Sequence, residues 1–230
     1  MSVYRRRRIV AVLAVVLGFT ALVLAVLVQS SEARDRALPI DPNNAGPDTV
    51  LGAVAGVGIS TPIRPEDITG LGYHPEGESL VEISPHGKSL SASAVTGLFT
   101  SGSTPEKIQY YVMDSAGRQG PATGALDIGA ASGSTVYAPV TGVVTAIRPD
   151  PVLQKGASVV EIKPADNPNV RVSVSLVQDL DDGVGPKSPV TAGTTELGSV
   201  ADSAQVLKPQ LASYTSDAGN HVTISVSRAS

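Results

Sequence analysis

The sequence predicts an all-β fold, a mainly antiparallel sandwich or open barrel, preceded by one apolar helix. Short strand-like runs recur between turn signals from about residue 73, in a chain with 23 Gly and 17 Pro among 230 residues. Two of those runs alternate with a period of two. In VRVSVSLV (170–177), Val170, Val172, Val174 and Leu176 share one face, opposite Arg171, Ser173 and Ser175. In HVTISVS (221–227), Val222, Ile224 and Val226 oppose His221, Thr223 and Ser225. Aromatic residues make up only 3% and Trp is absent, so the core must come from Val, Ala, Leu and Ile. There is no Cys, which excludes disulfides and thiolate-held zinc.

The helix comes first. Arg5 to Arg8 form a short stub, residues 1–8, followed by the uncharged run IVAVLAVVLGFTALVLAVLV, residues 9–28. A helix of that length rises roughly 30 Å, the thickness of a bilayer's hydrocarbon core. The preceding arginines place the N-terminus in the cytoplasm and export the chain beyond the span. A cleavable signal peptide is the competing reading, but its apolar region is shorter and ends in an A-x-A-like site, which Ser31-Glu32-Ala33 resembles weakly. The expectation is an uncleaved, single-pass anchor in the plasma membrane with an extracytoplasmic C-terminal domain.

Residues 29–70 contain Pro39, Pro42, Pro47, Pro62 and Pro65 without helical periodicity, and read as a Pro/Gly-rich linker. Within it VLGAVAGVGIS (50–60) reads as a strand or an apolar patch. A short β-rich lead-in, 71–107, includes LVEIS (80–84), and the main domain is expected over 108–230. Its strand candidates are 108–114, 125–129, 134–138, 142–147, 158–163, 170–177 and 221–227.

Charge narrows the partners. Four of the 17 basic residues are Arg5 to Arg8 and all 21 acidic residues lie beyond residue 28, leaving 13 positive and 21 negative charges, a net of −8. So acidic a domain is a poor fit to nucleic acid or anionic lipid.

GALDIGAASGSTVYAPVTGVVTAI resembles the first half of the M23 (lysostaphin/LytM-type) zinc endopeptidase domain, in which H-x-x-x-D precedes G-x-x-V-x-A-P-x-x-G-x-V. Gly133, Val136, Ala138, Pro139, Gly142 and Val144 take the matching places. VRVSVSLV is similar to the strand ending in Y-x-H-L. Val190 to Gly193 with Leu197-Gly198 is similar to V-x-x-G-x-x-x-I-G, and Gly219 to Val226 to G-x-H-L-H-F-x-V. The resemblance covers residues 108–228 and implies a LytM-like antiparallel sandwich of the duplicated hybrid motif type. Biotinyl and lipoyl domains share A-P-x-x-G-x-V, but Lys155-Gly156 lacks the residues that flank their modified lysine.

Carried over position by position, the resemblance implies a dismantled site. Thr123 stands at the first His, Asp127 keeps the carboxylate, and Ser175 stands at the Y-x-H-L histidine. His221 matches the first His of H-x-H and Thr223 replaces the second. Zinc hydrolysis needs about three protein ligands and an open water position. Of these family ligands only Asp127 remains, so neither zinc nor another cofactor nor peptidase activity is expected. His74 and His86 flank turns and read as surface loops, although with Glu76 or Glu78 they offer an alternative ligand pair. The five remnants Thr123, Asp127, Ser175, His221 and Thr223 are expected to line a polar groove. The function implied is a non-catalytic scaffold or hydrolase regulator of the cell envelope, associated with peptidoglycan or an envelope protein. The alternatives are an active metalloendopeptidase with atypical ligands and an interaction module without affinity for the wall.

Overall fold

Alternating strands bury one face and leave the other for polar work, and β-branched side chains suit that pleated surface. A computed structural model describes residues 49–90 and 108–229. The stub, the span at 9–28 and the linker up to residue 48 lie outside these residues, as does 91–107 of the lead-in. Among the described residues no helix is long and apolar enough to cross a membrane.

The fold is all-β. The N-terminal strands are β1 (Val50–Val54), β2 (Val57–Ser60), β3 (Gly70–His74), β4 (Ser84–Pro85) and β5 (Lys88–Leu90). Next come β6 (Gln109–Val112), β7 (Ala125–Gly129), β8 (Thr135–Tyr137), β9 (Gly142–Asp150) and β10 (Gln154–Pro164). The last are β11 (Val170–Gln178), β12 (Pro189–Val190), β13 (Glu196–Val200) and β14 (His221–Arg228). A small sheet runs β2-β1-β4, and a large one β12-β9-β10-β11-β14-β7-β3-β6-β5, with β13 joining β11 to β8. Pairing is antiparallel except where β6 lies parallel to β3 and β5. Leu51, Val54, Val57 and Ile59 of the small sheet share one core with Leu126, Ile128, Val172, Val174, Val222 and Ile224 of the large one.

Two sequence expectations are corrected here. Residues 50–70 are not linker. They form β1, β2 and a 3-10 turn at Pro65–Asp67, and they bury Leu51, Ile59, Ile63 and Ile68. They are held by the Ala138-Pro139 corner, where Ser60 donates its N–H to Pro139 O at 2.8 Å and Tyr137 donates to Pro62 O at 2.7 Å. Most of 80–84 is irregular. Only Ser84 enters a strand, and Leu80 makes an isolated bridge to Ser227.

The alternation of β11 also breaks at its end. Leu176 has φ of 63°, a conformation costly for a branched L residue, and the register with β10 shifts there. The extra residue flips the parity, so Val177 joins the main core and Leu176 leaves it for a minor cluster with Ala157 and Ala201. Gly142 of the A-P-x-x-G corner has a different constraint. A Cβ there would lie 2.1 Å from the Lys163 carbonyl oxygen, so close strand approach requires glycine.

Candidate functional site

The polar face of the large sheet is set by its register. Across β7, Asp127 faces Thr223 of β14 on one side and Gly72 of β3 on the other. His74 pairs with Ala125 and His221 with Gly129, which puts the two imidazoles diagonally either side of Asp127. Ser175 of β11 lies beside Thr223. Four of the five expected remnants therefore converge.

Asp127 is only 4% exposed and its oxygens are engaged. Oδ1 accepts from His74 Nε2 at 3.0 Å and from Thr223 Oγ1 at 2.7 Å, while Oδ2 faces His221 Nε2 at 3.7 Å. Burial, which would raise the carboxyl's pKa, is outweighed by the flanking His221 and His74 and by Thr223, so Asp127 titrates below its usual range. His74 is also buried, and its Nδ1 faces Pro75 O at 2.9 Å and the Glu76 carboxylate at 3.3 Å. Burial, which would lower its pKa, is overcome by the bonds to Asp127 and Glu76, and the imidazole is pushed up to about 10.

These contacts correct the reading of His74 as a surface loop. Its strand alternates, with Leu71 and Tyr73 in the core and Gly70, Gly72 and His74 on the polar face. His86 is exposed, as expected. Thr123 is buried but lies outside the cavity lining, and its hydroxyl donates to Glu82 Oε1 at 3.4 Å.

The four converging remnants line a cavity of 340 Å³. Asp150 braces one wall. Buried to 1% exposure, it accepts from Val152 N at 2.8 Å and Leu153 N at 3.0 Å through Oδ1, and from Leu176 N at 3.2 Å through Oδ2. Residues 207–210 also line the cavity, and Leu211 follows them into the fold. Leu211 settles into a notch left by Gly72 and Gly129, where a Cβ would come within 3.1 Å and 2.9 Å of its methyls. Arg118 pairs with Glu76 at 3.7 Å and donates to Gln210 Oε1, yet its Nε is buried without a partner among the described residues. Neither Arg118, Gln210 nor Asp150 carries a motif signal. Their partners come from distant strands or from backbone amides.

The arrangement limits the chemistry. Ser175 and Ser225 line the cavity beside two imidazoles, His74 with both nitrogens on acceptors and His221 with Nδ1 on Gly219 O at 2.7 Å. His221 Nε2, 3.7 Å from Asp127 Oδ2, lies beyond hydrogen-bond distance of the carboxylate. The residues do not fit a zinc ion. Among the described residues no three His, Cys, Asp or Glu side chains group to hold a metal, and Asp127 Oδ1 already accepts two hydrogen bonds.

Fold and site together define an all-β domain whose buried carboxylate is clamped between two imidazoles beside a polar cavity. No protein-family model and no curated protein matches the chain. Among solved structures it is similar to that of the SpoIIQ–SpoIIIAH pore-forming complex, with a TM-score of 0.41, 15% identity, and coverage of 74% of this chain and 86% of that one. It is also similar to Helicobacter pylori Csd3 in a hexagonal crystal, with a TM-score of 0.34, 18% identity, and coverage of 67% of this chain and 35% of Csd3. In an orthorhombic crystal of Csd3 the values are 0.34, 14%, 78% and 37%. The chain thus spans about a third of the length of Csd3.

Proposed function

We propose that this chain is a membrane-anchored, M23-like domain that has exchanged catalysis for binding. It acts outside the plasma membrane as an envelope scaffold or as a regulator of wall hydrolases. The observation that carries the non-catalytic part is the closure of Asp127. The carboxylate that the family offers to zinc is bonded to His74 and Thr223. The binding part is supported by the cavity's polar lining. Ser175, Thr223 and Ser225 bring hydroxyls to it and Arg118 a guanidinium. Such groups suit a ligand bearing carbonyl or carboxylate oxygens.

The purified chain is expected to leave muropeptides intact with or without added zinc, and to co-sediment with isolated peptidoglycan. Digestion that requires zinc and disappears in Asp127→Ala would establish the metalloendopeptidase reading instead. Capture of an envelope protein without sedimentation on wall would identify an interaction module with no wall affinity.

A further inference from the structure

A second hollow in the large sheet shares no lining residue with the polar cavity. Its origin is the strand register. β9 and β10 pair at Asp150–Gln154 and next at Pro149–Ser158, which leaves residues 155–157 of β10 without a partner on β9. β10 slips again against β11 between Ser158 and Val160. Strands that slip part locally, and here they leave a groove of 640 Å³. Ile147 and Pro149 of β9, Ala157 of β10, and Val177 and Leu180 at and just beyond the end of β11 give it apolar walls.

We propose that this groove docks a basic segment of a partner protein, with a Lys or Arg stem along the apolar walls and its charge at Asp179. Charge complementarity selects the partner. Arg148 lines the groove from β9, but its guanidinium already donates to the Glu161 carboxylate. Asp179 lines it from beyond β11 and makes no ion pair among the described residues. Asp181 and Asp182 extend the same lip, are exposed, and likewise pair with no cation among the described residues. An unmatched anionic lip beside apolar walls complements a long basic side chain, whose methylenes are buried while its head stays wet.

The lip is fixed before any partner arrives. Ser199 Oγ donates to Asp179 Oδ2 at 3.3 Å, and Asp181 donates its N–H to Leu197 O at 3.2 Å. Asp181 Oδ1 in turn accepts from Gly183 N at 2.8 Å. The first two bonds tie the lip to β13 and lower the ordering cost of binding. Three carboxylates within four positions call for several cations on one chain, which a polypeptide rich in Lys or Arg supplies. The single free amine of a wall peptide would match only one of them.

Isothermal titration of the full-length chain, in neutral detergent, with a short peptide alternating Lys and Ala tests this. The triple variant Asp179→Asn, Asp181→Asn, Asp182→Asn keeps the acceptors of the lip and removes its charge. It is expected to bind about tenfold more weakly, roughly what three exposed ion pairs lose together. The control triple Asp67→Asn, Asp114→Asn, Asp166→Asn changes the net charge equally at exposed positions outside the groove. At physiological ionic strength, where charges beyond about 8 Å are screened, the control is expected to bind as wild type does. Ser158→Phe fills the hollow with every charge intact and is expected to weaken binding as well.

Equal losses in the two triple variants would mean general attraction to an acidic protein and would overturn the proposal. So would the absence of binding to wild type, or tighter binding of a muropeptide amine than of the Lys peptide. Unchanged binding by Ser158→Phe would take the groove out of the interface, with the same consequence. If that variant does not fold, the comparison of the two surface triples decides alone. Neither triple alters a residue lining the polar cavity, so co-sedimentation with wall is read separately and the envelope reading and this inference fail independently.

Discussion

Two aspartates line the same cavity and solve burial in opposite ways. Asp127 is balanced by side chains of distant strands, with His74 53 positions away and Thr223 96 positions away. Asp150 is satisfied by backbone amides, two of them only two and three residues further on. Asp127 is held by charge and Asp150 by dipoles. The first ties the sheet together across its strands, while the second folds one hairpin end against β11 and holds Leu176 in its left-handed turn.

Removing each carboxylate should separate the two solutions. Asp127→Ala strands a buried imidazolium and is expected to cost about 3–5 kcal/mol in denaturant unfolding. A loss no greater than that of an exposed Asp→Ala would contradict the buried ion pair. The pH dependence comes next in size. The His74 pKa is raised, so its contribution is complete below its unfolded value of 6.5 and is lost as pH rises through about 10. The Asp127 pKa is lowered, so its contribution is present above 3.8 and is lost as pH falls through the folded value. Stability measured from pH 6.5 to 10 should therefore fall more steeply in wild type than in His74→Gln, and parallel curves would contradict this. Asp150→Ala should be milder, about 1–3 kcal/mol, because it removes hydrogen bonds without leaving an unmatched charge. Its signature should be faster amide exchange at Leu176, with the amides of β7 unaffected.

The same contrast explains what the sequence revealed. The runs 125–129, 170–177 and 221–227 coincide with β7, β11 and β14 to within a residue, because alternation is a local property. Asp127 and Thr223 could be placed together because their motifs fix them on neighbouring strands. His74 was not legible as their partner. It follows Gly70 and Gly72 in a strand whose polar face is mostly bare backbone, and Pro75 makes it read as a turn. Thr123 failed for the converse reason. A motif offset placed it near Asp127, but the chain turns at Thr123 and its hydroxyl reaches Glu82 instead. The bulge at Leu176 was hidden because it depends on Asp150, which lies on another strand.

The position of β3 has a practical consequence for dissecting the protein. A fragment starting at residue 108, where the family resemblance begins, would be cut through its own sheet. It would keep β7 but lose the neighbour that pairs with it from Gly70 to His74. The exposed backbone of β7 would then be an unprotected edge, open to pairing with other copies and prone to aggregate.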